Sequence, residues 1–273
     1  MENYCNTGMI LSPPDERDYD IKKALPAGGG GILLHEYKLP DLPMVYNQAP
    51  YPNCVPYASR RGIELAAVNH GKEFKQISHS FINLNREIVL PDGKTWKAWI
   101  RSTDGYCFRD VLEAGRLTGF ATREAYPIGN QYLNWKRLIQ RPTTKDTVRL
   151  TPAVYADAAK RKIIKYWRVY GADEIKRTIL ETGNPVLIAA KVYQNFFGYT
   201  NVNNYAIVVP PKPKLLGSHG YLVTGWRDSR NAFIIVNSWG EKWGYKGRGF
   251  QDYEYPIQEA WGFTLDYEGT VLG

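Results

Sequence analysis

The sequence predicts an α+β chain made of two dissimilar halves. Apolar residues recur at helical spacing in several segments up to about residue 162, and short strand-like runs follow from residue 163. Helices first and strands later imply a mostly helical half packed beside a mostly antiparallel half, with a cleft between them. The chain has 273 residues and is 44% hydrophobic, enough for one large domain or two lobes on a shared core.

Residues 1–44 are irregular, with Pro13-Pro14, a glycine run at 28–31, Pro40 and Pro43. Such a segment lies across a folded body or stays loose. A helix is expected from Cys54 to His70, where Val55, Ala58, Ile63, Ala66 and Ala67 share one face. Asn53 suits its N-cap, Pro56 fits only a first turn, and Gly71 stands where the helix would stop. Helical pattern recurs over Phe81–Val89 and Phe108–Leu117. Thr151-Pro152 opens another helix to about Lys162, and Asp173–Leu180 reads as one more. Strands are expected at Ile163–Tyr170, Pro185–Tyr193, Tyr221–Trp226 and Ala232–Ser238, the last two forming a hairpin across Asp228–Asn231. The expected organisation is an extension over 1–44 packed on the body, a helical lobe over 45–150, and a β lobe over 151–273.

Composition excludes several classes. No apolar run approaches the roughly 18 residues a membrane helix needs, and the N-terminus lacks the basic and apolar regions of a signal peptide. The expected location is cytoplasmic, or within an assembled particle. Cys5, Cys54 and Cys107 form no disulfide framework, and the four histidines form no metal-ligand pair with them, so no metal or other cofactor is expected. The net charge of +8 is spread among acids without a basic helix or aromatic RNA-binding signature. Nucleic acid is therefore not an expected partner.

The chemistry concentrates at three points. In NQAPYPNCVPYAS, Cys54 falls on the first turn of a helix, where unpaired N–H groups and the helix dipole favour a thiolate. Gln48 lies six residues upstream. In GSHGYLVTGW, His219 sits between small neighbours that leave its ring room to reach across a cleft. In FIIVNSWGEKWGYKGRGF, an apolar strand ends in Asn237-Ser238-Trp239-Gly240. An amide there can accept the histidine's second N–H and fix its tautomer.

The order Cys54, His219, Asn237 resembles that of the papain-like cysteine peptidases. NSWGEKWGYKGRG is similar to that family's Asn-Ser-Trp-Gly segment, and VYNQAPYPNCVPYAS to its Gln-to-Cys segment. PPDERDY, NPVLIAAKVYQNF and YEYPI resemble short bacterial and viral, phage-type members, so the likeness runs from about Pro13 to Ile257. The resemblance implies a papain-like two-lobe fold, helical lobe plus antiparallel β-barrel-like lobe, forming one catalytic unit with its cleft between the lobes. It implies Cys54 as nucleophile, His219 as base and then acid, Asn237 as the group orienting the ring, and Gln48 as an oxyanion donor. Trp239 would shield the His–Asn bond. Gly105 and Tyr106, in STDGYCFRD, and Gly220 would bind substrate backbone. The implied partner is a protein or peptide substrate, cleaved through an acyl-enzyme.

The sequence departs from the family's glycines at Ala49 and Pro52, and proline there stiffens the loop. Those departures and the long N-terminal segment motivate a second reading, a structural or binding component of a larger, possibly viral assembly. A third applies the same thiol to a non-protein amide. Some forty residues before the catalytic region are too few for a helical inhibitory pro-domain, so zymogen control of that type is not expected.

Overall fold

The computed structural model describes residues 8–15, 18–25, 34–42, 44–49, 51–99, 105–127, 150–199 and 206–273. The glycine run at 28–31, Pro43, Asp104 and Cys5 lie outside the described residues. The helices expected around Cys54, Phe108, Pro152 and Asp173 are found as Cys54–Asn69, Phe108–Leu117, Pro152–Ala158 and Gly171–Thr182. Thr151 caps its helix as the sequence suggests, its side chain accepting from the Val154 N–H. The helix expected over Phe81–Val89 is shorter. His79–Leu84 is helical, and Glu87–Val89 turns instead into a two-stranded hairpin with Thr95–Lys97.

The described strands of the second half belong to one ten-stranded sheet. Its centre runs Arg161–Arg168, Ile257–Tyr267, Val186–Tyr193, Leu215–Arg227, Ala232–Val236 and Arg248–Asp252, all antiparallel to their neighbours. Asp228–Arg230 forms the turn of the expected hairpin, and Asn231 leaves it in a left-handed conformation. The N-terminal extension joins this sheet. Tyr19–Asp20 pairs parallel with Arg161–Arg168, and Glu36–Lys38 pairs antiparallel with Leu215–Arg227. Helices packed on such a sheet make the fold α+β.

The Cys54 helix lies directly on the sheet. A Cβ on Gly62 would stand 3.3 Å from Leu187 and 3.7 Å from Leu222, so glycine permits this approach. An apolar cluster with Val55, Ile63, Ala66, Leu187, Leu222 and Phe263 spans the contact. A buried carboxylate ties the same helix to the loop before it. Glu64 accepts from the Tyr46 hydroxyl at 2.9 and 3.0 Å, from the Ile77 N–H at 2.9 Å, and pairs with Arg60 Nε at 3.4 Å. That tie fixes the loop bearing Gln48 relative to Cys54.

Candidate active site

The site forms where the start of one helix meets the ends of two sheet strands. Cys54 is the first residue of its helix, and the backbone N–H groups of Gly220, Val55 and Cys54 itself favour its thiolate. Gly220 follows His219 on the strand Leu215–Arg227, so a residue that acts on the Cys54 sulfur is the chain neighbour of the histidine. Asn237 lies just past the end of Ala232–Val236. Strand pairing sets Leu222 beside Val236, which brings the middle of the strand that carries His219 to the end of the strand that precedes Asn237.

His219 Nε2 lies 2.7 Å from Asn237 Oδ1. That oxygen also accepts from the Ser238 N–H at 2.7 Å, which fixes the orientation of the amide. An oxygen facing Nε2 requires Nε2 to donate, so in the neutral ring the lone pair is on Nδ1. Nδ1 has no hydrogen-bond partner in the structure. Trp239 stacks on the imidazole at 4.5 Å between centroids, and Phe197 stacks on Trp239 at 4.6 Å. Phe196 meets both rings edge-on. This aromatic layer covers the His219–Asn237 bond.

Gln48 is buried on the loop before the helix. Its N–H donates to the Ser238 carbonyl at 2.8 Å, and its side-chain oxygen accepts from the Ser238 hydroxyl at 2.7 Å. Its Nε2 donates to the Tyr51 carbonyl at 3.2 Å, leaving a second N–H on the same nitrogen. Asn53, expected to cap the Cys54 helix, makes no side-chain cap bond. Its side-chain oxygen accepts from Asn83 Nδ2 at 3.0 Å instead.

Gly105, Tyr106 and Gly220 come together around a feature the sequence did not reveal. Residues 8–12 run through the groove. Tyr106 donates its N–H to the Gly8 carbonyl at 3.0 Å, and Ile10 donates to the Tyr106 carbonyl at 3.1 Å, a parallel bridge centred on Met9. Gly8 adopts φ +74° with its Cα against the Pro52 carbonyl, leaving no room for a Cβ. A Cβ on Gly105 would meet Ile10 at 2.8 Å, and one on Gly220 would lie 3.5 Å from the Met9 sulfur. The segment is clasped further on. The Ser12 N–H and hydroxyl donate to Glu259 at 3.1 and 3.3 Å, Arg168 pairs with Glu259 at 2.9 Å, and Arg109 forks onto Asp18 at 2.7 and 2.8 Å.

Covered in this way, Cys54 and His219 are both fully buried. Burial pushes the Cys54 thiol up to about 12 against the three backbone N–H groups that favour its thiolate. Burial also pushes His219 down to about 4, against the opposing bond to Asn237. Burial thus works against the charged form of both groups while the site is covered. Cys107, also buried, is likewise pushed up to about 12 by burial, with Asp110 adding to the effect. Among the described residues no group of three or more His, Cys, Asp or Glu could hold a metal ion, and no helix is long and apolar enough to cross a membrane.

The sequence profile of the papain family cysteine proteases matches residues 113–254, a span that includes His219 and Asn237 and begins after Cys54. An uncharacterized peptidase C1-like protein, L477, of Acanthamoeba polyphaga mimivirus is 30% identical over 116 residues, 38% of this chain and 37% of that protein's own length. Xylellain, a cysteine protease from Xylella fastidiosa, superposes with a TM-score of 0.73 at 22% identity, covering 94% of this chain and 95% of that one. The digestive procathepsin L2 proteinase of the Tenebrio molitor larval midgut gives 0.67 at 18% identity over 94% of this chain and 78% of that one. Bromelain from Ananas comosus, in complex with the E64 inhibitor, gives 0.57 at 16% identity over 84% of this chain and 98% of that one.

Proposed function

The chain belongs to the papain family of cysteine proteases, and from that premise we propose that it hydrolyses peptide bonds with Cys54, His219 and Asn237 as its triad. One observation carries the reading. His219 is held through Nε2 by Asn237, which leaves Nδ1 as the free proton acceptor, and its chain neighbour Gly220 presents a backbone N–H that favours the Cys54 thiolate.

The chemistry runs as follows. An extended peptide pairs with the backbone of Tyr106 along the groove and brings its carbonyl carbon over the Cys54 sulfur. The thiol proton passes to His219 Nδ1 as sulfur attacks, and the imidazolium is held in plane by Asn237 and stacked under Trp239. The second N–H of Gln48 Nε2 and the Cys54 backbone N–H receive the developing oxyanion. Removing one such donor costs on the order of 100-fold or more in rate. As the intermediate collapses, His219 returns its proton to the leaving amine and a thioester remains on Cys54. Water, deprotonated by the same nitrogen, then releases the acyl group and restores the thiol.

Residues 8–12 occupy the groove that the substrate needs, so turnover requires them to withdraw. Withdrawal also returns water to the pair and removes the desolvation that works against its charged form. A peptidyl epoxide of the thiol-peptidase inhibitor class tests the reading. It is expected to add covalently to Cys54 and to abolish hydrolysis of a casein-type substrate. Hydrolysis that survives Cys54→Ala would exclude it.

A further inference from the structure

The segments that carry Cys54 and Gly105–Tyr106 are separate parts of the helical half, and one buried arginine links them. Arg86 follows the helix His79–Leu84. Its Nε donates to the Asn83 carbonyl at 2.8 Å, one Nη to Asn83 Oδ1 at 3.2 Å, and the other Nη to the Gly105 carbonyl at 3.1 Å. Its guanidinium lies 4.0 Å from the centroid of the Tyr106 ring, whose hydroxyl donates to the Asn85 carbonyl at 3.4 Å. Asn83 passes the connection on, its Nδ2 donating at 3.0 Å to Asn53, the residue before Cys54. Arg86, Asn83 and Asn53 are all buried.

We propose that Arg86 is a positioning residue that sets the separation between the substrate-pairing backbone at Gly105–Tyr106 and the nucleophile at Cys54. The proposal rests on the peptidase reading above and adds to it a residue that touches neither substrate nor reacting atoms. A guanidinium is planar, and its N–H directions are fixed relative to one another. Three of them end on oxygens from two segments, so the plane acts as a rigid gauge between Asn83 and Gly105. A lysine ammonium on a flexible stem cannot hold three such directions at once. Asn83 uses its remaining donor on Asn53 and so carries the same gauge to the first turn of the Cys54 helix. Interactions with an extended substrate depend on this separation. A small thiol reagent, which needs only Cys54 and His219, does not feel it.

The test compares two alkylating agents on the full chain: iodoacetamide and an extended peptidyl chloromethyl ketone, each read as the rate of modification at Cys54 by peptide mass spectrometry. Both require residues 8–12 to leave, so that step cancels in the ratio of their rates. Arg86→Lys is expected to lower the peptidyl-to-iodoacetamide ratio about tenfold, the scale of one lost hydrogen bond to a charged group. Asn83→Asp keeps acceptors for Arg86 but loses the donor to Asn53, and is expected to lower the same ratio. A folded Arg86→Lys protein with the wild-type ratio would overturn the proposal. If Arg86→Lys shows no cooperative melt, Asn83→Asp decides: a folded Asn83→Asp protein with the wild-type ratio would overturn it equally. The comparison is made in the wild-type and Gly8→Ala backgrounds: should neither reagent modify Cys54 even with Gly8→Ala, the peptidase reading itself fails, an outcome separate from a reactive Cys54 with an indifferent Arg86.

Discussion

Desolvation dominates the behaviour of Cys54 and His219. The sequence places a thiol on a helix N-terminus, which favours a thiolate. The folded chain buries that thiol, and burial works against the thiolate. The remaining roles separate by mutation. His219→Ala removes the base and is expected to lower kcat/KM about 10²–10⁴-fold. Asn237→Ala leaves the base in place and is expected to cost less, because water can take over part of the orienting bond. Equal, complete losses in two folded variants would contradict that division. The three groups stand out in the sequence because Cys54 opens a helix, His219 has small neighbours and Asn237 follows an apolar strand. The partner of Asn53 was not legible. A helix-start asparagine normally caps its own helix, and only the tertiary structure diverts this one to Asn83.

Among the elements, the segment at residues 8–12 matters most. Pro13-Pro14 directly after it marks the region as irregular, and its path lies in contacts with Pro52, Tyr106 and Gly220 that no local pattern encodes. Gly8→Ala forces a Cβ onto the Pro52 carbonyl at a positive φ. That variant is expected to alkylate faster at Cys54 with iodoacetamide while Cys107 stays slow. An unchanged Cys54 rate would mean that the segment does not limit access. Elsewhere the strand Ile257–Tyr267 escaped a sequence reading because both its faces are largely buried, which erases alternation. The helix expected over Phe81–Val89 was overextended because Phe81, Ile82 and Ile88 fit either period over so short a run. Where caps and breakers are explicit, as at Thr151-Pro152, the start was fixed correctly. The tie between the Cys54 helix and its loop gives another expectation. Glu64→Ala leaves Arg60 buried without its carboxylate and is expected to cost about 3–5 kcal/mol in a denaturant titration. A loss below about 1 kcal/mol would show that Tyr46 and Ile77 do not depend on it.

At the scale of the molecule, the buried histidines make the fold sensitive to acid. Burial pushes His219 down to about 4 and His79 down to about 3, with Arg60 and Arg123 adding to the effect at His79. The unfolded chain takes up protons at these rings first, near pH 6.5. Stability from keeping them neutral is full above that pH and falls as the pH drops toward the folded values. Glu64 and Glu259, raised by burial, act in the opposite sense. The histidine contribution is isolated by difference: His79→Gln is expected to melt with a shallower loss of Tm between pH 6.5 and 4.5 than wild type. An identical slope would assign the acid sensitivity elsewhere. The central claim is that a papain-type thiol at Cys54 performs the chemistry once residues 8–12 withdraw. Its most direct test is treatment of Gly8→Ala and of Gly8→Ala/Cys54→Ala with a peptidyl epoxide, followed by intact-mass measurement and a casein assay. The account predicts one adduct per chain, mapped to Cys54, with hydrolysis lost in step, and neither adduct nor hydrolysis in the double variant. An unmodified Cys54 in the folded Gly8→Ala protein, or casein hydrolysis by the double variant, would contradict it.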